Sequence, residues 1–223
     1  MKKFITKMKR TLFILTMILL GTAGLRAQSG LTVEGSQYIS SYKFIESNEE
    51  KFKGYIPVLG GGYALGYIID NGSGLLVHPR VGMRPGGATL MHENSNYIWE
   101  TQSLDFRVGI GYGFEMGRFT PYAKLSPYFG IVLKGNQVLN NQNYDLIKTG
   151  SMKSTDFGFY FSPGIKTALN DLMSAYLELS YYQGLTNIET DTNGQKSLNI
   201  GASATFGIIF NIAQLSGGGS SDE

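Results

Sequence analysis

The chain has 223 residues, of which 30 are glycine and 13% are aromatic, a composition unlike that of an ordinary helical domain. It has no cysteine, which excludes disulfides, thiolate metal ligands and cysteine nucleophiles, and its two histidines leave little room for a histidine-based metal site. We therefore predict a protein without a bound metal or cofactor. The formal net charge of +2 is unevenly distributed along the chain.

The first 27 residues have the layout of a secretory signal peptide. Basic residues precede an apolar run from Thr11 to Leu20, and mostly small, neutral residues follow up to Ala27. The run is shorter than the roughly 20 residues that a helix needs to cross a bilayer core. We predict cleavage after Ala27, with Ala23 as the alternative site and an uncleaved membrane anchor as the alternative role.

Loss of this segment changes the charge of the protein. Residues 1–27 contain six of the 19 basic residues and none of the 17 acidic ones, so residues 28–223 carry 13 basic and 17 acidic side chains, a charge of −4. The exported protein is mildly acidic and has no basic tract, so nucleic acid is not a predicted partner.

The mature chain alternates between apolar and polar residues, which predicts strands with two unlike faces. The clearest strand spans 103–116, and the last one, 198–210, repeats its pattern. Six weaker segments lie at about 30–40, 55–68, 75–84, 123–133, 157–166 and 175–182. Alternation over more than ten residues exceeds the roughly 5–6 residues of a soluble strand and suits a tilted membrane-spanning strand. The predicted lipid-facing residues are Leu104, Phe106, Val108, Ile110, Leu177, Leu179, Ile200, Phe206 and Ile208.

Short and long connections alternate between these eight segments. Tight turns are predicted at 70–73, 117–120 and 169–172. The long polar connections are 41–54, 85–101, 135–154 and 187–196. Outer-membrane barrels have short periplasmic turns and long external loops, so both termini are predicted to be periplasmic.

A sheet inside a membrane must close, because an open edge would leave backbone groups unsatisfied in hydrocarbon. We predict an all-β fold: an eight-stranded antiparallel up-and-down transmembrane β-barrel, whose interior is just wide enough for side chains to fill. Glycine is expected mainly on the inner face, where the alternation also places Tyr128, Tyr160, Tyr176 and Tyr182, and the other aromatic residues mainly on the outer face. The predicted lumen charge network comprises Glu34, His78, Arg80, Arg84, Asp105, Arg107, Glu115, Lys124, Lys166 and Glu178. Its near-balanced charge predicts a filled lumen and no wide pore.

The barrel domain is predicted to span 28–212, followed by a flexible tail at 213–223 that is rich in glycine and serine. Phe210 is the predicted signal that the barrel-insertion machinery reads, because such barrels usually end on an aromatic residue. The tail after Phe210 is a departure from that pattern.

Three motifs resemble the PorT-type family of outer-membrane β-barrels. They are the run from Ser180 to Ile188 (SYYQGLTNI), the triplet from Asp156 to Gly158, and the pair Pro121-Tyr122. The resemblance covers essentially the whole mature chain in strand order. It implies an eight-stranded barrel in the outer membrane of a Gram-negative bacterium, chiefly the Bacteroidetes. One named family member takes part in type IX secretion and gliding, a role that these motifs do not transfer.

These patterns predict a non-enzymatic outer-membrane barrel that acts as a structural, accessory or surface-interaction protein, or as a subunit of a secretion, gliding or uptake complex. Outer-membrane lipid is one predicted partner, and another surface protein is expected to bind through 41–54, 85–101 or 135–154. Alternation alone leaves open a secreted, lipocalin-like barrel with its apolar face inside. A narrow porin-like channel and a lipid-modifying enzyme that uses His78 are further alternatives.

Overall fold

The computed structural model describes residues 29–45, 54–92, 95–190 and 196–211. The predicted signal peptide and C-terminal tail lie outside these residues. Within the described ranges, no helix is long and apolar enough to cross a bilayer. The strands are β1 (Gly30–Ile45), β2 (Ile56–Asp70), β3 (Leu75–His92), β4 (Ser95–Gly113), β5 (Phe119–Leu139), β6 (Gln142–Asp145), β7 (Thr155–Ala168), β8 (Met173–Gly184) and β9 (Lys196–Asn211).

Eight of these strands form a closed ring. Strand β1 pairs with both β2 and β9, and the ring continues through β3, β4, β5, β7 and β8, with every neighbouring pair antiparallel. Strand β6 is a short addition that pairs with the end of β5. The prediction of an eight-stranded antiparallel barrel is therefore confirmed.

The polar face of each strand points into the barrel and the apolar face points outward. In β4, Asp105 and Arg107 are 0% and 4% exposed, whereas Val108 and Ile110 are 45% and 56% exposed. A lipocalin-like barrel would show the opposite arrangement. Charged groups inside and aliphatic groups outside suit a barrel that is surrounded by hydrocarbon.

Two of the predicted long loops are wrong, because they are largely strand. Strands β3 and β4 stay paired up to His92 and Ser95, so 85–101 is a long hairpin. Strand β5 continues to Leu139 and turns back into β6, which occupies part of 135–154. Outside the membrane both faces of a strand meet water, so the sequence loses its apolar and polar contrast there. Strand β1 likewise extends to Ile45, whereas 46–53 lies outside the described residues.

The two ends of the barrel differ. One end carries Gly30, Asn211 and the three tight connections, and we call it the turn end. Gly72 and Gly117 have φ angles of 71° and 63° in two of these turns, left-handed values that suit glycine. The opposite end carries the long hairpins, and we call it the loop end.

The wall has one irregular place, which we call the β2–β3 seam. Pairing between these strands stops at Pro57↔Ala88 and resumes at Tyr63↔Met83. Ser40 Oγ donates a hydrogen bond to the carbonyl oxygen of Pro85 at 3.1 Å. Pro85 has no N–H, so it leaves no unpaired donor in the seam. A side chain of β1 therefore replaces a missing bond of the ladder.

We expect Ser40→Ala to weaken this seam, because the substitution leaves the Pro85 carbonyl without its donor. The expected loss is about 1 kcal/mol in the free energy of unfolding. Hydrogen exchange should also become faster in the peptides that cover 58–62. The matched control is Ser41→Ala, the next residue of the same strand. Equal exchange in the two variants would contradict the role of Ser40.

Candidate functional site

The lumen holds ten buried side chains of opposite formal charge. Among the described residues, five basic and five acidic side chains that line it are at most 9% exposed. The basic ones are Arg80, Arg84, Arg107, Lys124 and Lys166. The acidic ones are Glu34, Asp70, Asp105, Asp156 and Glu178. Buried charges of equal number can neutralise one another, which burial in a low-dielectric interior requires.

The predicted inner position of Glu115 is wrong. Strand β4 ends at Gly113, so Glu115 lies in the following tight turn, where it is exposed to solvent. The predicted alternation continues to residue 116, three residues beyond the end of β4. Asp70 and Asp156 lie in the lumen instead, and sequence reasoning did not include them.

The positions of Asp156 and Asp70 in the sequence explain why these two lumen carboxylates were missed. Asp156 occupies the same strand face as Tyr160 and Lys166, so the alternation of that strand already places it inside. Asp70 is the last residue of β2, and the sequence assigned it to the turn. Its carboxylate contributes to both the turn and the lumen. Oδ1 accepts a hydrogen bond from the backbone N–H of Gly72 at 3.0 Å, and Oδ2 accepts one from Lys166 Nζ at 2.6 Å.

Five side chains from four strands form a closed ring of contacts in the half of the lumen nearer the turn end. Arg80 bridges Glu34 and Glu178, with both N···O distances at 3.0 Å. Lys124 Nζ lies 2.6 Å from Glu178 Oε2 and 2.9 Å from Nδ1 of His78. Nε2 of His78 closes the ring at 3.2 Å from Glu34 Oε1. We call these five residues the charge ring.

The position of His78 in the charge ring fixes its hydrogen bonds. A lysine ammonium group only donates, so Nδ1 accepts from Lys124, and Nε2 carries the proton toward Glu34 and Thr32. The side chain is completely buried. With both nitrogens occupied and no exposed surface, His78 has no free position for a substrate.

A second cluster lies nearer the loop end and is centred on Arg84. Its Nε and Nη2 atoms contact Asp105 at 2.8 and 3.3 Å, and Nη2 also reaches Asp156 at 3.1 Å. The guanidinium carbon lies over the rings of Tyr128 and Tyr182, 5.0 and 5.3 Å from their centroids. The bidentate pairing with Asp105 needs the planar guanidinium group of arginine and is not available to lysine.

Tyrosine hydroxyl groups complete these clusters. Tyr122 donates to Glu178 at 3.1 Å, Tyr128 donates to Asp156 at 2.6 Å and Tyr160 donates to Asp105 at 3.0 Å. The ring of Tyr160 also lies 4.6 Å below the guanidinium carbon of Arg107. The lumen therefore contains large aromatic rings whose polar ends bind its carboxylates.

Glycine makes room for these rings. Four inward tyrosines each lie directly opposite a glycine of the neighbouring strand, where an added Cβ atom would overlap the ring. The pairs are Tyr122↔Gly164, Tyr128↔Gly158, Tyr176↔Gly207 and Tyr182↔Gly201. At these four positions the ring has room in the lumen because its neighbour has no side chain.

Apolar clusters lie above and below the charged groups. Near the turn end the buried cluster is Ile68, Leu76, Tyr122, Tyr176 and Ile209. Near the loop end it is Tyr42, Ala88, Val132, Met152 and Ile188. Side chains therefore fill the lumen from one end to the other, as the charge balance predicts.

The outer face carries the residues that the sequence assigned to lipid. Six of the nine are strongly exposed, at 45–59%: Phe106, Val108, Ile110, Leu177, Leu179 and Phe206. The other three, Leu104, Ile200 and Ile208, are half-buried at positions of the same alternation. Phe210 is 39% exposed one residue before β9 ends, and its role as an insertion signal stays a prediction.

A family model described as an outer membrane protein β-barrel domain matches residues 12–206. The chain belongs to this family. Its place is therefore the outer membrane, where the exposed apolar belt meets lipid.

The chain shares its fold with a solved structure, that of the outer membrane protein OprG of Pseudomonas aeruginosa. The TM-score is 0.50, the identity is 11%, and the coverage is 83% of this chain and 97% of that one. The chain is also similar to the Neisserial surface protein A, with a TM-score of 0.46, 11% identity, and coverage of 82% and 98%. No curated protein sequence matches the chain. At these identities the likeness concerns the fold alone.

Proposed function

We propose that this chain is a non-enzymatic barrel of the Gram-negative outer membrane that acts at the cell surface through its loop end. Export through the predicted signal peptide and insertion with the short turns inside would leave both termini in the periplasm. The loop end then faces the exterior. In this role the barrel is a rigid anchor, and its hairpins are the parts that meet a partner.

The observation that carries the proposal is the length of the strands at the loop end. Strands β4 and β5 have 19 and 21 residues, about twice the roughly 9–11 that a tilted strand needs to cross a bilayer. The excess forms the paired end of β3 and β4 and the small hairpin of β5 and β6. Structure of this extent beyond the membrane favours contact with another molecule.

The small hairpin is also fixed beyond its backbone pairing. Hydrogen bonds from the backbone N–H groups of Lys148 and Ile147 reach Asp145 Oδ1 at 3.0 and 3.2 Å. These bonds, together with the Lys148 ammonium group, hold the pKa of Asp145 below its usual value. A pre-organised hairpin loses little entropy when it binds, which suits a recognition surface.

The PorT-type relationship is part of the proposal. Two of the motifs meet in space: Thr186 Oγ1, from the run 180–188, donates to Asp156 Oδ1 at 3.0 Å. Tyr182 of the same run donates a hydrogen bond to Ser40 Oγ at 2.7 Å. Asp156 and Gly158 of the triplet lie on β7, which pairs with β8, the strand that carries Tyr182. Both motifs therefore help to build the second charged cluster, which supports a common barrel interior with that family.

The filled lumen counts against the two alternative functions that remain. His78 is enclosed in the charge ring, which counts against a lipid-modifying enzyme that uses it. The lumen is lined by buried charged and apolar layers, which counts against a narrow channel. Planar-bilayer recordings of the purified protein separate these cases, because stable large currents would contradict a filled lumen.

The surface role can be tested by shortening the β3–β4 hairpin. Residues 90–97 are replaced by Asn-Gly, a turn that joins the paired residues Thr89 and Ile98. We expect the barrel to keep its heat-modifiable migration on gels but to lose partners that are cross-linked to it on intact cells. The control is Arg118→Ala at the turn end. Unchanged cross-linking in the shortened variant would contradict the proposal.

A further inference from the structure

The loop end contains a half-open cavity of about 320 Å³ above the apolar cluster that closes the lumen. Its floor includes Tyr42, Met152 and Ile188, all of which are buried. Its wall includes the rings of Phe44 and Trp99. A cavity of this size with an aromatic wall suits a small organic ligand.

The aromatic rings are held in place by one another. Phe44 stacks on Tyr55, with centroids 4.3 Å apart, and Trp99 lies 5.8 Å from Tyr55 and 6.3 Å from Phe44. Trp99 also stacks on Tyr97 at 5.8 Å. Rings that support each other present fixed faces, and the negative potential of an aromatic face attracts cations.

One carboxylate, that of Glu189, completes the wall. Ser197 Oγ donates a hydrogen bond to Glu189 Oε1, and the backbone of Glu189 is bridged to Met152. Among the described residues, no basic side chain lies within ion-pairing distance of this carboxylate. Each of the five acidic side chains in the lumen lies within ion-pairing distance of a basic side chain, so a carboxylate held on an aromatic wall without a cation is an exception that points to a ligand.

We propose that this cavity binds a small organic ammonium ion whose charge lies between Glu189 and the rings of Trp99 and Phe44. The carboxylate supplies the counter-charge, the rings supply cation–π attraction and the floor accepts the apolar part of the ligand. This inference rests on the proposed exposure of the loop end for its biological meaning. Binding by the purified protein does not depend on orientation, so the two can fail independently.

The chain offers a direct reporter, because Trp99 is its single tryptophan and lies in the cavity wall. The full-length protein in a maltoside detergent, which has no ammonium head group, is titrated with benzyltrimethylammonium. We expect a saturable change in tryptophan fluorescence. The uncharged analogue neopentylbenzene, which has the same shape, should bind about tenfold more weakly.

The decisive variant is Glu189→Gln, whose amide oxygen can still accept the bond from Ser197. We expect it to weaken benzyltrimethylammonium binding about tenfold. Glu115→Gln, which removes an exposed carboxylate at the turn end, should bind like the unmodified protein. The proposal is overturned by the absence of a saturable change up to about 10 mM. Equal affinities for Glu189→Gln and Glu115→Gln, or for the charged and uncharged probes, would also overturn it.

Discussion

Replacing Glu178 by glutamine should lower the free energy of unfolding by about 3–5 kcal/mol, the cost of breaking a buried ion pair from one side. The Glu178 carboxylate contacts Arg80, Lys124 and the hydroxyl of Tyr122. Glutamine keeps the shape but removes the charge. Arg80 would still contact Glu34, whereas Lys124 would keep only His78 as a neighbour in the charge ring. Urea unfolding from lipid vesicles, followed through the fluorescence of Trp99, measures the loss.

A second substitution separates lost charge pairing from lost packing. Adding Lys124→Met to the Glu178→Gln variant removes the unpaired cation, so part of the lost stability should return. Glu115→Gln serves as the control, because this exposed turn residue makes no contact with the charge ring. If the double variant were less stable than Glu178→Gln alone, an orphaned Lys124 would not be the reason for the loss.

The barrel could be predicted from sequence because a membrane imposes a strong contrast on every strand. Hydrocarbon outside and a polar lumen inside make successive residues of a strand alternate between apolar and polar. Strand β4 shows this alternation over many residues. The same reason explains where the prediction failed. Beyond the membrane both faces of a strand meet water. The ends of β3 and β4 near His92 and Ser95 are therefore paired strand without an alternating sequence pattern.

The aromatic residues divide between the two faces as the alternation of the strands predicts. The pattern places Tyr160 and Tyr182 on the polar face that lines the lumen and places phenylalanine on the apolar face. Phe106, Phe157 and Phe206 are exposed on the outer face, whereas Tyr160 and Tyr182 are among the most buried side chains of the lumen. The hydroxyl group explains the division, because a tyrosine can bind a lumen carboxylate and phenylalanine cannot.

Contacts between strands that are far apart in sequence could not be predicted at all. The alternation of each strand places Glu34 and Glu178 inside the barrel. Only the pairing register of the closed barrel brings both carboxylates to Arg80. The cavity at the loop end has the same origin, since Trp99 and Glu189 are 90 positions apart in the sequence. Sequence patterns identify the face on which a residue lies, and ring closure decides which residues meet.

Val108→Arg should prevent stable assembly in the membrane. Val108 is 45% exposed near the middle of the outer apolar face of β4. An arginine on a lipid-facing strand near the bilayer midplane costs about 2–4 kcal/mol, because its charge is moved into hydrocarbon. Unfolding from vesicles should show this loss, and the variant should be depleted from the outer-membrane fraction of cells that express it.

The same strand supplies the matched control for this test. Gln102 points outward like Val108 but lies toward the loop end, where Glu100 and Lys134 form an exposed ion pair on the neighbouring outward positions. Polar and charged residues there place Gln102 near the membrane interface, so Gln102→Arg should cost only about 0–1 kcal/mol. Because both variants gain the same side chain on the same face, any difference between them measures depth in the bilayer. Equal losses would mean that Val108 does not face lipid.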